Sequence, residues 1–420
     1  MKKKASIFTP YNALFLAIFI EYFPIFYPAN QPSIPLGPID LFATDVAAIF
    51  LAVYAFVRRP SGVSSVSAMG AIGGRKIQVI FGMFFAYGII KWLIQGNLNT
   101  GSFRMMLDYT LAYLFLYFLP MHLRTQAAVK KLVTLLVIFL VYIFGLHIYA
   151  FASQGYVVHI LGGHFLSMLS FLYFLSISRT DLLKLSPLAS FLIKALIIAV
   201  YFMVGHRSGL IGILLGLIAY WFYRREGAIK EAGIILIIIF LGATVALGVS
   251  PKMLENFSDR AATTFDSSQD TYQGRFYNFI TVFDLAKENP IIGKPLVTNE
   301  SRQMKEMKVK KGSMTGTELQ LVVTPHNLLL EWLLYYGIAG LLMGLYLLYV
   351  GFWFIKDFLR KNKNNAPCHK IGVVVLCTMT HNLFFAISNV TTSDIFGTFF
   401  LYFPVVLLIA ISANKEEFCK

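Results

Sequence analysis

Three short clusters bring cations, imidazoles and turn residues together in a chain that is 57% hydrophobic and only 14% charged. The first is Gly205-His206-Arg207-Ser208-Gly209, a tight turn between two long apolar runs. The second is Gly274-Arg275-Phe276-Tyr277, followed by Asn289-Pro290-Ile291-Ile292-Gly293-Lys294-Pro295. The third is Thr324-Pro325-His326-Asn327, which leads into Leu328-Leu329-Leu330-Glu331-Trp332 and then Gly337-Ile338-Ala339-Gly340. Arginine offers a planar fork that grips phosphate oxygens bidentately. An imidazole titrating near neutral pH can take the proton of a sugar hydroxyl. Pro325 fixes the chain just before a helix, so His326 and Asn327 fall at a helix start, where free N–H groups and the dipole favour anions. Two arginines and a histidine therefore suit attack by a hydroxyl on a carbon that carries a phosphate leaving group, with cations stabilising the departing charge. Each residue also has a plainer reading. Arg207 can be a snorkelling or headgroup-binding arginine, Arg275 a solvated loop charge, and His326 a structural histidine.

The elements that must hold these clusters are membrane spans. A soluble domain carries about 25% charged residues, and runs such as Leu132–Ala150, Leu188–Gly205 and Ile234–Val249 have Lys194 as their only charge. Each approaches the roughly 20 residues needed to cross the hydrocarbon, and such spans must be helical. The expected fold is all-α, a polytopic bundle of about twelve spans at 8–28, 38–57, 77–95, 105–122, 132–151, 161–178, 187–205, 208–223, 232–249, 338–355, 371–388 and 395–413. Lys2–Lys4 before an apolar run read as the start of an uncleaved first span. Of the 36 Lys and Arg residues, 22 fall in segments on one side, while short loops on the other side hold only Arg104 and Arg207. Cytoplasmic loops retain Lys and Arg, which puts both termini inside and the three clusters outside. The net charge of +15 is thereby a topology signal, not a nucleic-acid signature.

This topology divides the chain into spans one to nine (1–249), a large outer loop (250–325), and an interfacial helix with spans ten to twelve (326–420). Long loops translocate regardless of charge and are usually functional. Within this one, Ile280–Ala286 reads as a short helix on the bundle, and Asn289-Pro290 with Gly293-Lys294-Pro295 as a turn back towards the membrane. Asp45, Lys91, Asp108 and Lys194 fall inside spans, where a charge must pair or face water. For Lys194 a strut between helices is expected. For the other three a strut and a channel lining stand side by side. Cys368, Cys377 and Cys419 lack metal-type spacing and none lies in an outer segment, so neither a metal site nor a disulfide is expected.

Taken in order, Gly-His-Arg-Ser-Gly after a span, Gly-Arg-Phe with a downstream Asn-Pro-Ile-Ile-Gly, and Pro-His-Asn-x-x-Leu-Glu with Gly-Ile-Ala-Gly-Leu resemble the O-antigen ligase and polymerase superfamily. The likeness runs from about residue 200 to 345. It implies a membrane glycosyltransferase bundle (GT-C-like) that moves a glycan from an undecaprenyl-pyrophosphate donor to an acceptor hydroxyl at the periplasmic face of the inner membrane. Inversion at the anomeric carbon, with no metal and no cofactor, is part of that implication. Carried over by position, Arg207 and Arg275 hold the donor pyrophosphate and His326 orients or deprotonates the acceptor. Asn327 supports the helix start, His206 and Arg260 are auxiliary, and Tyr277 is a place for a sugar ring to stack. The implied partners are the lipid-linked donor, a glycan or lipid A–core acceptor, membrane lipids and a chain-length regulator. Polymerase is favoured slightly over ligase. A polysaccharide flippase is the rival from another class, and a peptidoglycan-polymerising transferase would lead with a loop carboxylate that has no counterpart beside His326.

Overall fold

The computed structural model describes the strands at 33–36 and 39–42, residues 72–95, 123–154, 164–178, 185–204, 207–224, 229–238, 327–388 and 395–418, most of 279–294, and isolated positions in 46–57, 106–122 and 180–183. Helices dominate it. They are α1 (Ile72–Gln95), α2 (Gln126–Gln154), α3 (His164–Ser178), α4 (Pro187–Val204), α5 (Arg207–Trp221), α6 (Leu328–Lys361), α7 (Ala366–Ser388), α8 (Ile395–Ala413) and a short α9 (Lys415–Phe418). Gly74–Gln95, Gln126–Tyr149, Leu328–Lys361 and Ala366–Ser388 are long and apolar enough to cross a membrane. Met168–Ser178, Pro187–Tyr201, Ser208–Trp221 and Leu401–Ala413 are shorter apolar helices. The chain is a polytopic helical membrane protein, its spans helical because lipid offers the backbone no other partner.

Two expectations need correction. Residues 39–42 do not begin a span. Ile39–Phe42 (β2) pairs antiparallel with Ser33–Leu36 (β1), Ser33 opposite Phe42 and Leu36 opposite Ile39. Pro35 and Pro38 lie within this stretch and bar a continuous helix, while Ile34 and Ile39 suit a pleated strand. The first described helical position beyond it is Val46. The second correction concerns the cysteines. Cys377 is free and buried, but Cys368 is disulfide-bonded. Bridging depends on where packing brings the sulfurs, which sequence spacing does not report. The expected span 8–28, Asp45 and Asp108 lie outside the described residues.

Helix α7 is the hub, packed against α3, α5, α6 and α8. Small residues let it approach α5 closely. A Cβ on Gly216 would stand 2.2 Å from Phe174 Cζ and 3.0 Å from the Cys377 carbonyl, and one on Gly212 would stand 2.8 Å from His381 Cδ2. Behind this seam lies a buried polar network. His381 Nδ1 and Asn382 Oδ1 are 3.0 Å apart, and Ser170 Oγ donates to the same Oδ1 at 3.1 Å. Nε2 of the same ring lies 2.9 Å from the Tyr201 hydroxyl oxygen. The network joins α3, α4 and α7 around the first turns of α5. Lower in α4, Lys194 Nζ reaches Glu231 Oε1 at 3.0 Å and Oε2 at 2.8 Å, both side chains nearly buried. It ties α4 to helical residues 229–238, the strut expected of Lys194.

Candidate active site

The described part of the site is built around a break in α6. Asn327, in extended conformation, caps its start. Its Oδ1 accepts from the N–H groups of Leu329 at 2.9 Å and Leu330 at 3.2 Å, which satisfies two of the donors a helix start leaves open. The helix then runs only to Tyr336. Gly337 has φ 65° and ψ −167°, a conformation open essentially to glycine alone. Beyond it the helix resumes through Lys361. The short segment folds back on the long one: the Trp332 carbonyl is 3.7 Å from where a Cβ on Gly340 would stand, and the Trp332 ring is 2.3 Å from one on Gly344. In a straight helix Trp332 and Gly344 would be about 18 Å apart along the axis. Glu331, in the first turn, is 1% exposed.

A broken helix exposes carbonyls on one side and N–H groups on the other, and here the turn at 289–294 satisfies both. The loop is helical at 279–280 and 282–288, with Val282 and Ala286 buried, and then turns at 289–294. Lys294 N–H donates to Leu334 O at 2.7 Å, the Ile338 N–H donates to Pro290 O at 2.8 Å, and the Ala339 N–H reaches Ile291 O at 3.4 Å. The turn is closed on itself by Gly293 N–H to Asn289 O at 2.8 Å. Gly293 also has positive φ, 74°. A Cβ on it would lie 2.6 Å from Gly337 N, and one on Gly337 would lie 2.2 Å from Ile291 O. Two backbones meet here at a distance that only glycines allow.

Helix α1 completes the arrangement from the membrane. The Lys91 ammonium donates to both Lys294 O and Tyr335 O, and lies 5.4 Å over the Tyr336 ring. The Tyr87 hydroxyl donates to Tyr336 O at 3.0 Å, and Gln95 Nε2 donates to Gly293 O at 3.2 Å. The last three carbonyls of the short segment, those of Leu334, Tyr335 and Tyr336, are thus each capped from outside the helix. An ammonium at that end also meets the negative pole of the dipole. Lys91 is 3% exposed. Its role was legible only as a charge in need of a partner, since its partners are backbone atoms more than 200 positions away.

Of the residues expected to do chemistry, Asn327 is fully described, at the cap of α6. Arg207 is the first residue of α5, which places it at the head of the helix that packs on α7. The Arg207 side chain and His206, Arg260, Arg275, Tyr277 and His326 lie outside the described residues. His326 directly precedes Asn327 in the chain, and Arg275 precedes the loop helix by four positions. The elements meeting at the clasp are therefore those that flank two of the three clusters.

Residues 192–345 match the family model described as O-antigen ligase. That stretch of the chain is similar to the O-antigen ligase family. The matched stretch begins within α4 and ends eight residues past the break in α6, so all three clusters and the junction of the loop turn with α6 fall inside it, whereas Tyr87, Lys91 and Gln95 on α1 lie outside it. The resemblance drawn from the motifs to the O-antigen ligase and polymerase superfamily is borne out. No curated protein matches the chain.

Proposed function

We propose that the protein is an inverting, metal-independent glycosyltransferase of the bacterial inner membrane, with both termini in the cytoplasm and its reaction at the periplasmic face. The donor is an undecaprenyl-pyrophosphate-linked glycan. Arg207 and Arg275 bind its diphosphate bidentately, assisted by His206 and Arg260. His326 takes the proton of the acceptor hydroxyl; the oxygen attacks the anomeric carbon from the face opposite the phosphate. The bond between that carbon and the phosphate oxygen breaks, its electron pair stays on the pyrophosphate, and undecaprenyl pyrophosphate departs with its charge neutralised by the two guanidinium groups. Tyr277 stacks on a sugar ring, and the 250–325 loop covers the donor.

The observation that carries this reading is the O-antigen ligase match over 192–345, which encloses the arginine and histidine clusters. Polymerisation, with a growing glycan as acceptor and a chain-length regulator as partner, is the form we favour. The alternative form is transfer of a finished glycan to lipid A–core. Purified protein with an undecaprenyl-pyrophosphate glycan, with and without lipid A–core, separates them. A ladder of products means polymerase, a single adduct on lipid A–core means ligase, and no product with either acceptor refutes the proposal.

A further inference from the structure

We infer that Lys91 is a positioning residue for this transfer: its ammonium, by holding the carbonyls of Lys294 and Tyr335 together, clasps the outer-loop turn to the break in α6 and so fixes the relative placement of the segments that carry Arg275 and His326. The inference rests on the proposed function for what is positioned, and on geometry alone for the clasp.

The geometry makes Lys91 the member joining all three parts. The contacts from Lys294 to Leu334, from Ile338 to Pro290 and from Ala339 to Ile291 link loop to helix by backbone only. Lys91 alone, among the described residues, donates to a carbonyl on each side of that junction, and it does so from a third element, α1. Tyr87 and Gln95 flank it one turn before and one turn after on the same helix, one holding Tyr336 O and the other Gly293 O. These three side chains form a stripe on α1 at helical spacing, every one directed to a backbone oxygen of the clasp. No carboxylate faces the Lys91 ammonium among its described partners, so the carbonyl dipoles and the Tyr336 ring carry its desolvation. A buried ammonium placed so needs a return, and joining the loop to the broken helix supplies one. Once clasped, the helical residues of the loop and the short segment of α6 move as a unit. The described positions nearest to Arg275 and His326 in the chain, 279 and 327, are then held together, which favours a two-centre transfer.

The test uses the full-length protein in lipid nanodiscs, with Lys91→Met, the milder Tyr87→Phe, and Lys91→Arg as the variant that keeps the charge. Two quantities are read: amide hydrogen exchange at Lys294 and Ile338, and transfer rate against donor concentration, normalised to folded protein. Lys91→Met is expected to speed exchange at both amides by about tenfold or more, as loss of charged hydrogen bonds at a local junction implies. It should lower kcat by about tenfold while leaving the donor KM within about twofold, because diphosphate binding is kept and the alignment of base and acceptor is lost. Tyr87→Phe should act in the same direction more weakly, and Lys91→Arg should recover part of both losses. Unchanged exchange in Lys91→Met overturns the clasp. Faster exchange with unchanged kcat overturns the positioning role. If Lys91→Met fails to fold, the same two readouts on Tyr87→Phe decide. Absence of transfer by the unaltered protein refutes the proposed function and the positioning role with it, whereas the exchange rates still judge the clasp.

Discussion

Replacing Gly337 by alanine puts the break in α6 to its most direct test. At φ 65° and ψ −167° a Cβ is strained by about 1–3 kcal/mol. The added methyl would also stand 2.2 Å from Ile291 O, 2.4 Å from Ile291 C and 2.8 Å from Gly293 N, all backbone atoms that cannot rotate away. Relief requires the turn to lift off. That forfeits the hydrogen bonds from Lys294 N–H to Leu334 O and from Ile338 N–H to Pro290 O, about 1 kcal/mol each. The closed junction therefore loses at least that strain, about 1–3 kcal/mol, relative to the open one, a shift of roughly fivefold to more than a hundredfold in its opening equilibrium. The effect is local, so hydrogen exchange at Ile338 and Ala339 should accelerate by that factor while α7 and α8 keep their protection. Gly145→Ala is the control: nothing lies within 4 Å of a Cβ there, and alanine in the middle of α2 should be neutral or stabilise by up to about 1 kcal/mol. Unchanged exchange in Gly337→Ala, or equal damage from Gly145→Ala, would refute the reasoning.

Three other outcomes are expected. Gly216→Ala should lower the thermal midpoint of the purified protein, since its methyl meets Phe174 and the Cys377 carbonyl in the α5–α7 seam, an overpacking of about 1–3 kcal/mol. Lys194→Met should destabilise by about 3–5 kcal/mol by leaving the Glu231 carboxylate buried without its cation, and Lys194→Met with Glu231→Leu should regain most of that loss; a double variant no more stable than the single one contradicts the strut. Arg275→Ala and His326→Ala should each abolish glycan transfer without changing yield or membrane insertion, and normal polysaccharide banding in cells carrying either variant would remove the mechanism.

The spans were the legible part, because the bilayer imposes length and hydropathy on any sequence that crosses it. The segments 77–95, 132–151 and 371–388 sit within α1, α2 and α7. The segment 39–42 was misread because a four-residue run with three apolar side chains says nothing of helix against strand, although Pro35 and Pro38 just before it were a usable signal. The short loop helix and the turn at Asn289–Lys294 were foreseen from composition. Their docking was not, because it consists of backbone contacts at positive-φ glycines and leaves no periodic pattern. Tyr201 and His381 are separated by 180 positions, and Lys91 by 203 from Lys294. Such pairs have no local spacing to read. The sequence offered only the cost of the buried lysine, which demanded some partner without saying which.

Where the break falls along α6 also bears on the choice between enzyme and transporter. Transporters place discontinuous helices near the midplane, at the substrate site, with the unwound backbone lining a cavity. The stretch from 338 to 361 spans about 36 Å at 1.5 Å per residue, enough to cross the hydrocarbon unaided. It ends in Arg360 and Lys361, beside the basic cluster assigned to the cytoplasm. The break is therefore at the opposite boundary of the span, not at its middle, and the groups that satisfy its backbone come from a loop and from the far end of α1. Irregular backbone at that depth persists only where protein satisfies it. A surface station built from a half-helix, a docked loop and a lysine suits a reaction on a lipid-linked substrate at the membrane face better than passage of a substrate through the bundle.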